Sequence, residues 1–105
     1  MGKPDTRRLD KAIQQTNRKL EAVRNRELWP LDGRERRAVL GALASGSYRI
    51  TRGDSTARAE RKLDTAWQSV ETRLVAEIAA LHTERQRVVN EAAAARAAKK
   101  SSGWW

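Results

Sequence analysis

The segment from Ser55 to Lys100 contains neither glycine nor proline, and it constrains the fold more than any other feature. Alanine, the residue that most favours helix, is dense after Glu91. We therefore predict one helix over residues 55–100, which at about 1.5 Å per residue would be roughly 69 Å long. A compact chain of this size has a radius of gyration of only about 13 Å. Either this helix breaks or the molecule is elongated.

Apolar residues on this predicted helix recur mainly at steps of three and four, which is typical of a face that packs on another helix. Thr83 and Gln86 stand at the spacing of a capping box, so the alternative is a break near His82. The distal part of the stripe is a candidate surface for a homo-oligomer, in the manner of a coiled coil. The stripe consists of Leu63, Trp67, Val70, Leu74, Ile78, Leu81, Val88 and Ala92.

A first helix is predicted over residues 6–28, capped by Asp5 or Thr6 and ended by Trp29-Pro30, because the residue before proline avoids the helical region. Its apolar stripe has steps of four and three. The members of the stripe are Leu9, Ile13, Thr16, Leu20 and Val23.

A second helix is predicted over residues 33–45. Asp32 and Glu35 form a capping box at its start, and Ser45-Gly46-Ser47 ends it. Residues 48–51 alternate polar and apolar side chains and are expected to be extended, followed by a turn at residues 52–54. The apolar positions of this helix are Ala38, Val39, Ala42 and Leu43.

These elements predict an all-α fold in one domain, residues 1–105. We expect an antiparallel helical hairpin or small three-helix bundle with a long C-terminal helix and a flexible tail at 101–105.

Positive charge is concentrated in the first part of the chain. The sequence has 22 Lys and Arg against 13 Asp and Glu, and residues 1–62 hold 16 of the bases but 8 of the acids. A strongly basic surface attracts polyanions, and the arginine fork suits phosphate. The candidate nucleic-acid-binding residues are Arg34, Arg36, Arg37, Arg49, Arg52, Arg58, Arg61 and Lys62.

No sequence-reading motif accompanies this charge. A helix-turn-helix would need two helices only a few residues apart, and residues 48–51 intervene. Any nucleic-acid binding should therefore be directed at the backbone. The leading hypothesis is a non-enzymatic accessory protein that binds nucleic acid or a nucleoprotein assembly. The alternative is an adaptor, structural subunit or inhibitor whose basic face meets an acidic protein surface.

The four tryptophans divide into two groups. Trp67 lies on the apolar stripe, and Trp29 precedes a proline, so both are expected in the core. Trp104-Trp105 follows Ser101-Ser102-Gly103, and two such side chains are costly to leave in water. We predict that this pair docks on a partner; the alternative is that it folds back over the chain's own helices.

Catalytic and metal-binding chemistry is not indicated. The chain has no cysteine, one histidine (His82) and no glycine-rich phosphate loop, so we expect no enzyme activity, cofactor or metal site. The absence of a long apolar stretch favours a cytoplasmic protein, or one packaged in a virion, without membrane contact. The abundance of arginine (16) and alanine (17) suggests a GC-rich source such as an actinobacterium or one of its phages.

Overall fold

The chain forms three helices in a computed structural model that describes residues 4–51 and 57–102, with side chains described for 4–45 and 57–100. They are α1 (Arg7–Arg24), α2 (Gly33–Thr51) and α3 (Ala57–Ser102). No strand occurs within those ranges. The predicted all-α class is confirmed.

Helix α3 is a single unbroken rod of 46 residues. It continues past His82 without a break. The Thr83 hydroxyl does not cap a new helix there but donates to the carbonyl of Ala79 at 3.0 Å. The molecule measures 83 × 18 × 18 Å and has a radius of gyration of 22.1 Å. Of the two possibilities that the sequence left open, the elongated one is observed.

Helices α1 and α2 both lie on α3, one after the other. Asp10 at the start of α1 bonds Arg85, and Arg24 at its end bonds Glu71, so α1 is antiparallel to α3. Helix α2 packs on the first part of α3, where Glu35 bonds Arg73. Helices α1 and α2 do not pack on each other. A compact three-helix bundle is therefore not confirmed, and the molecule is about two helices thick.

The core is a narrow line of apolar contacts between these helices. The α1 stripe of Leu9, Ile13, Thr16, Leu20 and Val23 is buried as predicted. From α2 only Val39 and Ala42 of the four predicted positions are buried, whereas Ala38 and Leu43 are exposed. From α3, Trp67, Val70 and Leu74 are buried; the remaining members of its predicted stripe, Leu63, Ile78, Leu81, Val88 and Ala92, are half-buried.

Helix α1 ends at Arg24, four residues before the predicted end. Arg26 adopts a left-handed conformation with φ of 63°. The amide of Arg26 donates to the carbonyl of Val23, and that of Glu27 to Ala22, both at 2.9 Å. This pattern is a Schellman motif, which closes the last carbonyls of a helix and turns the chain away. The turn, and not the later proline, ends α1.

The same turn explains why the prediction for Trp29 is wrong. After the chain reverses, Pro30 and Leu31 are the residues that enter the core, and both are buried. Trp29 is 55% exposed and lies against Gln15 and Lys19 on the outside of α1. Leu31, and not Trp29, fills the core at the end of α1.

The predicted end of α2 is also wrong. The helix runs through Ser45-Gly46-Ser47 to Thr51, so residues 48–51 are helical and not extended. A single glycine inside a helix costs about 1 kcal/mol relative to alanine, which is too little to stop a helix by itself. The predicted turn at residues 52–54 lies outside the described residues.

The two predicted helix starts differ in outcome. At α2 the capping box forms as predicted: the Glu35 amide donates to the Asp32 carboxylate at 2.8 Å, and the Asp32 amide to the Glu35 carboxylate at 3.0 Å. At α1, Thr6 occupies the cap position, but its hydroxyl donates to Asp10. The Asp5 carboxylate accepts from the Arg7 amide at 3.2 Å.

Candidate nucleic-acid interface

A groove between α2 and α3 brings together basic side chains from both helices. Arg34 and Arg37 lie on its α2 wall, and Lys62 lies on its α3 wall. The groove encloses about 820 Å³. We call it the basic groove; its remaining lining residues are Asp32, Glu35, Ala38, Gly41, Ala42, Thr65, Ala66, Ser69 and Arg73.

Helical periodicity explains why these residues meet. At 100° per residue, Arg34, Arg37 and Gly41 share one side of α2. Lys62, Thr65 and Ser69 share the facing side of α3 by the same spacing. Because α2 runs antiparallel to α3, the two sides face each other across the groove. The Cβ position of Gly41 has no neighbour within 4 Å, so the floor of the groove is open there.

The two carboxylates in the basic groove are already bound. Arg73 donates to the two oxygens of Glu35 at 2.7 and 2.8 Å, and it also bonds Glu77 at 2.7 Å. Asp32 accepts from the amide of Glu35 in the capping box. The Arg73 guanidinium holds the pKa of Glu35 below its ordinary value, and this bond raises the pKa of Arg73. Both acids therefore serve the fold.

Three of the four basic side chains in the groove have, by contrast, no ion-pair partner among the described residues. Within residues 4–45 and 57–100, no salt bridge or side-chain hydrogen bond engages Arg34, Arg37 or Lys62. Each is exposed to solvent. Three cations beside bound carboxylates and two hydroxyl-bearing residues, Thr65 and Ser69, form a surface that can bind a chain of phosphates.

The predicted basic residues do not all belong to this groove. Arg36 is exposed but does not line the groove, because it lies about 160° from Arg34 and 100° from Arg37 around α2. On α3, Arg58 and Arg61 extend the Lys62 side by one turn, and Arg61 also donates to the Ala57 carbonyl at 3.4 Å. The side chains of Arg49 and Arg52 lie outside the described residues.

A second groove opens on the other side of the α2–α3 contact and is apolar. It has a volume of about 270 Å³. The guanidinium of Arg26 lies 5.3 Å from the centre of the Trp67 ring at its edge, in the range of a cation–π contact. We call it the apolar groove; its lining residues are Arg26, Leu28, Val39, Leu43, Leu63, Asp64 and Trp67.

Sequence reasoning missed the apolar groove and the hydroxyl groups of the basic groove. Leu43, one of the four predicted apolar positions of α2, is 47% exposed and lines the apolar groove. The helical spacing could have indicated that Leu40 and Leu43 point away from Ala42, since they lie more than 90° from it around α2. Thr65 and Ser69 could have been found by their shared side with Lys62.

Beyond these two grooves, α3 is a paired surface. Arg73–Glu77 and Arg87–Glu91 form ion pairs at 2.7 Å, and Arg87 also pairs with Glu84. The bond from Arg87 lowers the pKa of Glu84.

Other candidate site residues carry no site in the described part of the chain. His82 lies on the exposed surface of α3. No group of His, Asp and Glu that could hold a metal ion occurs within the described residues. Trp104 and Trp105 lie outside them. None of the described helices is long and apolar enough to cross a membrane.

Comparison with known proteins identifies no family for this chain. No protein-family model matches the chain, and no curated protein or solved structure is significantly similar to it.

Proposed function

We propose that this chain is a non-enzymatic helical accessory protein that binds the phosphate backbone of nucleic acid through the basic groove. The observation that carries the proposal is the convergence of Arg34, Arg37 and Lys62 on one groove whose carboxylates are already bound. Cations without partners give up less on binding phosphate than cations that must first leave a salt bridge. The nearby Arg58 and Arg61 extend the surface along α3.

The binding would be independent of base sequence. Both walls of the basic groove are helix sides that carry small residues and charge, and none of its described lining residues is aromatic. Stacking on bases needs aromatic side chains, whereas phosphate contacts position a protein without reading sequence. A rod 83 Å long could then lie along a duplex or a nucleoprotein filament.

A salt titration with paired variants tests the proposal. Binding of a fluorescently labelled random-sequence duplex is measured by anisotropy between 50 and 200 mM salt. Each phosphate contact contributes about −0.9 to the slope of log K against log salt. Substituting Arg34, Arg37 and Lys62 with glutamine should reduce the slope by between about two and three.

A matched control removes the same charge elsewhere. Lys11, Arg18 and Arg36 are exposed, lie outside the basic groove and have no salt bridge among the described residues. Their replacement by glutamine should leave most of the slope intact. Equal losses in the two triple variants would mean that only net charge matters, and no binding at 50 mM salt would refute the proposal.

The alternative function, docking of an acidic protein surface, predicts a different preference. In that case the chain should bind polyglutamate at least as tightly as duplex DNA at equal charge concentration. Under the nucleic-acid proposal the duplex should bind more tightly, because its closely spaced phosphates release condensed counterions when the groove neutralises them.

A further inference from the structure

We propose that the chain forms a reciprocal antiparallel dimer in which Trp104-Trp105 of one copy occupies the apolar groove of the other. This inference is independent of nucleic-acid binding, since the two grooves lie on opposite sides of the α2–α3 contact. The occupant of the apolar groove would be a second copy of the chain.

The apolar groove is suited to a large apolar side chain. Its volume of about 270 Å³ falls below the 300–1,000 Å³ of pockets that hold drug-sized molecules. Leu28 and Leu43 at its rim are 37% and 47% exposed, so apolar surface is left in water. Arg26 already lies over one indole at its edge, and arginine can contact a second aromatic ring. Tryptophan is among the residues that most often anchor interfaces.

A chain cannot fill its own apolar groove with its own tryptophan pair. Helix α3 is unbroken from Trp67 to Ser102, which places these residues about 50 Å apart along the helix axis. The three residues after Ser102 can span at most about 11 Å. The pair can therefore reach this groove only on another molecule.

An antiparallel arrangement satisfies both copies at once. The groove lies near residue 65 of α3 and the tryptophan pair follows residue 102, so the two-fold axis would pass near residue 84. Each tail then meets the groove of the other copy, and the assembly closes instead of growing into a fibre. Residues 66–102, which would overlap about this axis, hold six bases and four acids, so their net charge is only +2. The basic grooves would lie at opposite ends of the dimer.

Sedimentation equilibrium of the full chain tests the dimer with matched variants. Leu40 and Leu43 are 46% and 47% exposed on the same helix, but only Leu43 lines the apolar groove. Leu43→Glu and the double variant Trp104→Ala/Trp105→Ala should each weaken dimerisation at least tenfold, whereas Leu40→Glu should match the parent chain. Circular dichroism checks that each variant remains helical.

Mixing the two defective variants gives a further readout. Leu43→Glu keeps an intact tail, and the double tryptophan variant keeps an intact groove, so the mixture can form one of the two contacts. We expect heterodimers in the mixture at concentrations where neither variant dimerises alone. A parent chain that stays monomeric up to millimolar concentration, whether or not its tryptophans are buried, would overturn the proposal. Equal effects of Leu40→Glu and Leu43→Glu would also overturn it.

Discussion

The two sides of the α2–α3 contact differ in chemistry although the same two helices build them. One side carries Arg34, Arg37 and Lys62 beside small residues, and the other carries Leu28, Leu43 and Leu63 beside an indole. Between them lies the shared core, in which Val39 and Leu74 are fully buried. A thin molecule can thus present two unlike surfaces, because each helix has three sectors: buried, basic and apolar but exposed.

The charges on the two sides explain why the basic side suits a polyanion and the apolar side suits a large apolar side chain. On the basic side the acids are fixed by Arg73 and by the α2 amides. On the apolar side the charged groups Arg26 and Asp64 lie 3.8 Å apart and can compensate each other. The surplus of charge therefore appears on one side only.

Leu74→Ala should have the largest effect, because it opens a cavity in the core that the three helices share. Leu74 is fully buried in a cluster that includes Leu20, Val39 and Trp67. Truncation of such a residue costs about 2–5 kcal/mol in the free energy of unfolding. Chemical denaturation followed by circular dichroism measures the loss. A change below about 1 kcal/mol would mean that the helices are not held together by this core.

Arg73→Ala should lower the free energy of unfolding through the basic side of the α2–α3 contact alone. Its bonds to Glu35 join α2 to α3, and the Glu35 side chain is largely buried. Loss of a charged hydrogen-bond pair there should cost about 1.5–3 kcal/mol. Arg73→Lys should restore only part of it, because lysine cannot make the two parallel bonds. Chemical denaturation measures the free energy of unfolding of both variants. If Arg73→Lys is as stable as the parent chain, charge alone matters at this position.

Low pH should weaken the same contact between α2 and α3, the ion pair of Glu35 with Arg73. The pKa of Glu35 is depressed in the folded chain by Arg73, so the unfolded chain binds more protons in acid. Its stabilising contribution is therefore complete above the ordinary glutamate pKa of about 4.3 and is lost as the pH falls through the lower, folded value. Asp10, whose pKa is lowered by Arg85, acts in the same direction.

The measurement for this prediction is the melting temperature between pH 6 and pH 2.5. Arg73→Ala should flatten the acid part of the curve, because it removes the cause of the Glu35 shift. Arg18→Ala, which alters an exposed residue without a salt bridge among the described residues, is the control and should keep the parent slope. An unchanged slope in Arg73→Ala would contradict the assigned role.

Substitutions of Arg26 should have the smallest effect and concern the apolar side. Arg26 has φ of 63°, a conformation that costs a residue with a side chain about 1–2 kcal/mol. Arg26→Gly and Arg26→Ala both lose the contact with Trp67, but only glycine relieves the backbone. The glycine variant should therefore be more stable than the alanine variant by about 1 kcal/mol or more. Equal stabilities would mean that the left-handed turn is not kept in solution.

Local patterns in the sequence predicted the helices and most of the core. The spacing of Leu9, Ile13 and Leu20 identified the buried side of α1, and the lack of glycine and proline identified α3. The capping box of Asp32 and Glu35 fixed the start of α2. Each of these signals depends on neighbours within one or two turns, which is the range over which helix periodicity and capping act.

The remaining features depend on contacts between segments and could not be predicted. The Schellman turn at Arg26 uses a residue without a known preference for positive φ, so nothing marked it. The burial of Pro30 and the exposure of Trp29 follow from the direction in which that turn sends the chain. The sequence could not show that Arg37 lines the basic groove and Arg36 does not, because the position of α3 decides which side of α2 forms a groove.

The most direct test of the central claim compares two adjacent arginines. Arg36 and Arg37 are both exposed and carry the same charge, but only Arg37 lines the basic groove. We expect Arg37→Glu to weaken binding of a labelled random duplex roughly tenfold at 100 mM salt, or about 1.4 kcal/mol. Arg36→Glu should change it less than twofold. Equal losses in the two variants would contradict the assignment of the basic groove as the nucleic-acid interface.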